Sequence, residues 1–170
     1  MTIRLAVLAD IHGNLPALEA VLDDAEQHKV DGVVVAGDLT GGPHDAQVIQ
    51  QLHSLGSWII RGNREEYLLN LDKREGKHWA FLRCLHKRLD NNSLERSARF
   101  PEQRALAVDG TGPVRIVHGS PQNSRDMLLP ERDPDTLRVF KNAALLSPDL
   151  NPTRPAGPTL DEIDESVLVC

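Results

Sequence analysis

At 170 residues, 40% apolar and 26% charged, the chain has the size and composition of one folded domain, which excludes wholesale disorder. Nineteen basic residues against 25 acidic ones leave a net charge of −6, the wrong sign for a non-specific nucleic-acid binder. Two cysteines, Cys84 and Cys170, cannot build a disulfide scaffold or a four-thiolate zinc site and fit a reducing, cytoplasmic setting.

No apolar run approaches the roughly 20 residues of a membrane span, so no membrane partner is expected. The start, Met1 to Leu5, runs straight into a strand-like segment and leaves no room for a signal peptide. Ile3 to Ala9 is short, apolar and partly β-branched, as a buried strand is. It runs into Asp10-Ile11-His12-Gly13-Asn14. Pro16 suits a first helical turn, and Leu15, Leu18, Val21, Leu22 and Ala25 keep helical spacing to about His28. Asp31-Gly32 is a turn signal. Val33 to Ala36 is a second buried strand, ending at Gly37-Asp38, and the loop Thr40-Gly41-Gly42-Pro43 follows.

The next helix carries Ala46, Val48, Ile49, Leu52 and Leu55, with Gly56 as its C-terminal cap. Trp58 to Ile60 is a third strand and leads into Gly62-Asn63-Arg64-Glu65. Strands alternating with helices at this spacing predict βαβ units and a parallel sheet, an α/β fold. Residues 64–100 read as charged and helical, a lid-like excursion after the third strand. Trp79, Leu82, Leu85 and Leu89 form one buried stripe; Asn92 or Ser93 caps a further helix that Pro101 ends. Arg104 to Val108 and Val114 to Val117 are strands, joined by the hairpin signal Asp109-Gly110-Thr111-Gly112. The second ends at His118-Gly119-Ser120. Thr136 to Leu146 is a helix candidate, 148–158 a proline-rich loop, Thr159 to Ile163 a short helix and Val167 to Cys170 a last strand.

Four polar clusters thus sit at strand ends: Asp10 with His12, Asp38, Asn63, and His118. Functional crevices of open α/β sheets lie at the carboxyl ends of the strands, so one sheet brings such clusters to one edge. Two carboxylates, two imidazoles and an amide suit Mn²⁺, Fe²⁺, Zn²⁺ or similar divalent ions better than Ca²⁺. Each piece alone is an ordinary turn residue; the ordered set is what points to a metal site.

In that order, Asp-x-His, Gly-Asp, Gly-Asn and His-Gly, the chain resembles the calcineurin-like metallophosphoesterases, and within them the small prokaryotic phosphodiesterases. The resemblance implies a β-sandwich of two sheets flanked by helices, as a single domain over residues 1–170. It also implies two divalent metal ions, Mn²⁺ foremost, with Fe, Ni, Zn or Mg as alternatives. By matching position, Asp10 and His12 would hold the first metal, Asp38 would bridge both, and Asn63 and His118 would hold the second. A metal-bridging hydroxide would attack phosphorus in a phosphate-ester or nucleotide substrate, with Asp38, Asn63 and Arg64 as the catalytic group.

Two features depart from the family pattern. Arg64 stands where the family often has a histidine; an arginine is a poor general acid but clamps phosphate oxygens, so it is expected to bind substrate. The family's final Gly-His-x-His motif is missing, and the chain looks cut just before it, with C-terminal strands lacking and an open sheet edge compatible with homo-oligomerisation. His44, in the loop after Asp38, is a further candidate for substrate contact. The function expected is a metal-dependent phosphodiesterase or nucleotide phosphatase. The alternative is a catalytically impaired member of the same fold acting as a binding scaffold.

Overall fold

Three short strands, β1 (Leu5–Leu8), β2 (Gly32–Ala36) and β3 (Trp58–Ile60), form a parallel sheet in the order β1-β2-β3. Val33 and Val34 of β2 lie beside Ala6 and Val7, and Val35 and Ala36 beside Ile59 and Ile60. In this computed structural model the described residues are 3–73, 76–108, 112–126 and 167–169. They fall into two units, Met1–Glu102 and Gln103–Cys170.

The first unit is an α/β layer structure. Helix α1 (Leu15–Gln27) links β1 to β2, and α2 (Asp45–Ser54) links β2 to β3. Asn14 caps α1 by accepting from Ala17 N, with Pro16 in the first turn. Gly56 follows α2 at φ +66°, the left-handed conformation that glycine takes without a Cβ penalty. Beyond β3 come α3 (Asn63–Leu69), two single 3₁₀ turns, α4 (Ala80–Arg88) and α5 (Asn91–Arg99). The excursion closes on itself: Arg61 N donates to Pro101 O at 2.8 Å, and the Arg61 guanidinium pairs with Glu102.

One apolar cluster holds this unit together. Leu18 of α1, Val48, Ile49 and Leu52 of α2, Leu68 of α3, and Leu82 and Leu85 of α4 pack with Val35 and Ile59 of the sheet. The expected stripe on α4 is therefore core, with Leu89 buried and Trp79 half-buried against it. Trp79 also meets the Tyr67 ring edge-on at 5.2 Å. The cap of α5 differs from expectation. Asp90, not Asn92 or Ser93, is the cap, because its Oδ1 reaches Ser93 N at 2.7 Å.

In the second unit, β4 (Gln103–Val108) pairs antiparallel with β5 (Gly112–Val117), and β5 pairs parallel with β6 (Val167–Val169). The expected elements between 136 and 163, and the turn residues 109–111, lie outside the described residues. Among the described residues no helix is long and apolar enough to cross a membrane.

Candidate metal centre

A parallel sheet sends all its strand ends the same way, so the loops after β1, β2 and β3 emerge side by side. The first two are laced together by backbone hydrogen bonds: Asp10 N to Gly37 O (3.2 Å), His12 N to Asp38 O (3.0 Å) and Gly13 N to Leu39 O (2.8 Å). Asp10, His12 and Asp38 adopt φ of 54°, 48° and 54°; among described non-glycine residues only Lys29 shares this region.

The side chains converge. His12 Nε2 lies 3.3 Å from Asp10 Oδ1 and 3.8 Å from Asp38 Oδ2. The site opens from bottom to top: the Asp38 side chain is 5% exposed, that of His12 38% and that of Asp10 60%. The other ring nitrogen, His12 Nδ1, is 3.0 Å from Thr40 O. A carbonyl only accepts, so Nδ1 carries a proton; in the neutral ring this leaves the Nε2 lone pair toward the two carboxylates. A lone pair and two anionic oxygens repel one another unless a proton or cation sits between them. That donor set fits a divalent transition-metal ion, and the Nδ1 hydrogen bond is the outer contact that metal-binding histidines usually make.

Glu65 builds the floor. It is fully buried on the first turn of α3. Its Oε2 accepts from Asp38 N (3.1 Å) and Gly62 N (2.8 Å), and its Oε1 from Thr40 N (2.9 Å) and Thr40 Oγ1 (2.8 Å). The β2 and β3 loops are thereby clamped together. Asp38 Oδ1 accepts from Arg64 N at 2.9 Å, which aims Oδ2 toward His12. Gly62 is required here: a Cβ would fall 2.1 Å from Asp38 Oδ1.

The remaining candidates are placed as follows. Asn63 and Arg64 open α3 beside Asp38, both partly exposed. His44 precedes α2; its N–H donates to Gly13 O at 3.2 Å, and its side chain makes no capping bond. His118 follows β5 in the second unit, before Gly119 at φ +82°. There Ser120 Oγ donates to Asp126 Oδ2 at 2.6 Å, and Gln122 N and Asn123 N donate back to Ser120 Oγ. Two acidic residues had no recognised role in the sequence, Glu65 and Asp45. Asp45 is buried, and that burial pushes its carboxyl above the ordinary carboxylate range against the pull of the Gly42 and Gly41 amides. Beside Asp10, a groove of about 320 Å³ runs between β1 and α1. Val7, Ile11 and Val21 line it together with Asp10 and Asn14, and its lining holds no cationic side chain to meet a phosphoryl group.

A family model described as "Calcineurin-like phosphoesterase" matches residues 3–159. An uncharacterized protein of Methanocaldococcus jannaschii is 32% identical over 62 residues, 36% of this chain and 26% of that protein. A hypothetical protein from Pyrococcus horikoshii OT3 is structurally similar, with TM-score 0.69 and 25% identity over 80% of this chain and 62% of that one. For a metallophosphoesterase from Sphaerobacter thermophilus the values are 0.58 and 27%, over 73% and 50%. For a putative diadenosine tetraphosphatase they are 0.57 and 25%, over 83% and 57%. The chain thus spans between a quarter and three-fifths of the length of these relatives.

Proposed function

Since the chain belongs to the calcineurin-like phosphoesterase family, we propose that it keeps the metal-holding strand ends of that fold but hydrolyses phosphate esters poorly, acting as a binding scaffold. One observation carries this reading. Asp10, His12 and Asp38 supply one cation's worth of converging ligands within the first unit, while Arg64, a fixed charge, stands directly after Asn63 where a proton donor would be needed. A divalent cation held by Asp10, His12 and Asp38 would neutralise phosphoryl oxygens and promote attack by water.

Asn63 and His118 are the proposed ligands of a second, weaker cation, shared through Asp38. Arg64 is fixed in charge, so it binds and orients a phosphate group but does not protonate a leaving group. His44 is proposed to approach the substrate from the glycine-rich loop. Residues 64–100 are proposed to cover the strand ends; Arg88 Nη2, on α4, already reaches Pro43 O in that loop at 2.9 Å. Manganese is the proposed metal.

A second reading, an active phosphodiesterase or nucleotide phosphatase, is favoured by the presence of all five candidate ligands in order and by the likeness to the putative diadenosine tetraphosphatase. Hydrolysis of bis(p-nitrophenyl) phosphate and p-nitrophenyl phosphate by the Mn²⁺-loaded chain separates the two. The scaffold reading expects bound manganese with little chelator-sensitive turnover. Robust turnover, abolished by chelator and by Asp38→Asn, would establish the second reading instead.

A further inference from the structure

Asp45 opens α2 outside the ligand set, and nothing in the proposed chemistry uses it. Its Oδ1 accepts from Gly41 N at 3.0 Å and from Gly42 N at 2.9 Å. Gly41 N and Thr40 O belong to one planar peptide unit, and the chain has no cis peptide bond among its described residues. A trans unit points its N–H and its C=O in opposite directions. Asp45 therefore grips one end of this peptide while His12 Nδ1 donates to the other. The relay runs from carboxylate to peptide to imidazole, and its far nitrogen faces Asp10 and Asp38. A carboxylate drawing on the N–H polarises the C=O and makes it a better acceptor for His12.

The packing around the relay leaves no slack. A Cβ on Gly41 would lie 3.0 Å from His12 Nδ1, and Gly41 stands at φ +133°, where side chains are rare. A Cβ on Gly42 would lie 2.1 Å from His12 O, and one on Gly13 would lie 2.2 Å from Asp45 Oδ1. The Gly41-Gly42 backbone thus lies directly against His12, and Asp45 holds it there.

We propose that Asp45 is a positioning residue for the metal ligand His12, acting through the Thr40–Gly41 peptide. This rests on the reading of Asp10, His12 and Asp38 as metal ligands, and its test separates the two. Mn²⁺ affinity is measured by calorimetric titration of the full chain, of Asp45→Ala, of Asp45→Asn, and of Leu52→Ala as a core control remote from the loop. Outer contacts of this kind are worth roughly 10–100-fold in metal affinity. Asp45→Ala is expected to lose that much. Asp45→Asn keeps an acceptor oxygen and is expected to stay within about threefold of wild type by the same argument. Leu52→Ala is expected to lower the unfolding midpoint and leave affinity unchanged. Should Asp45→Ala not fold, Gly41→Ala presses on His12 with Asp45 intact and is expected to weaken binding. Wild-type affinity in Asp45→Ala or Gly41→Ala, or equal losses in Asp45→Asn and Leu52→Ala, would overturn the proposal. A wild-type chain that takes up no Mn²⁺ would overturn the metal reading beneath it.

Discussion

Left-handed backbone costs a residue with a Cβ about 1–3 kcal/mol, and Asp10, His12 and Asp38 all adopt it. Strain of that size persists only where the surroundings over-determine it. Here the laced β1 and β2 loops and the four donors gathered by Glu65 do so. Glu65→Ala leaves those buried donors unpaired and is expected to destabilise the fold by about 3 kcal/mol or more in urea unfolding, since each orphaned group costs about 1–3. Glu65→Gln keeps one oxygen and turns an NH₂ toward the other donors, so an intermediate loss is expected. A loss under about 1 kcal/mol in Glu65→Ala would mean that water replaces the carboxylate, at less than the cost of a single orphaned group. Asp10, His12 and Asp38 were legible in the sequence because each follows an apolar strand directly. Glu65 and Asp45 were not. Along the chain both are ordinary acidic residues of a first helical turn; Glu65 acts on partners 25 and 27 residues away, and Asp45 through a peptide that sequence cannot orient.

The elements of the first unit follow the apolar periodicity closely, because the same side chains that set the period also form its core. Leu82, Leu85 and Leu89 illustrate this. Caps are less legible, since several neighbouring polar residues can serve and backbone geometry selects one. At α5 the sequence pointed to Asn92 or Ser93, and the chain uses Asp90. The Ser93 backbone N–H is the main cause that holds the Asp90 carboxyl below its ordinary value of 3.8. A carboxylate with a depressed folded value stabilises the fold above its unfolded value, and that contribution is lost as pH falls through the folded one. Hydrogen exchange of the first-turn amides of α5 is therefore expected to speed up on acidification below 3.8, beyond the change seen at α1. Asp90→Ala should remove that acid dependence. An equal acid dependence in Asp90→Ala would assign the effect to another group.

On the scale of the whole molecule, a net charge of −6 repels anions, so the phosphate-ester binding proposed above needs a cation to offset that charge. The strand-end loops of the first unit are where such a cation fits. The β-α-β-α-β order was legible from residues 3 to 60 because strands and helices differ in period. The pairing of β4 with β5 was legible from the hairpin signal between them; the two-sheet arrangement was reached through resemblance, since a strand as short as Val167–Val169 carries too little pattern to fix its partner. The proposed function requires that Asp10, His12 and Asp38 hold a metal. Elemental analysis of the chain after Mn²⁺ loading and removal of excess tests this directly. One tightly held manganese per chain, lost in Asp38→Asn, is the result the account predicts. No retained manganese, or retention undiminished in Asp38→Asn, would contradict it, and two tightly held ions would contradict the impaired half-site.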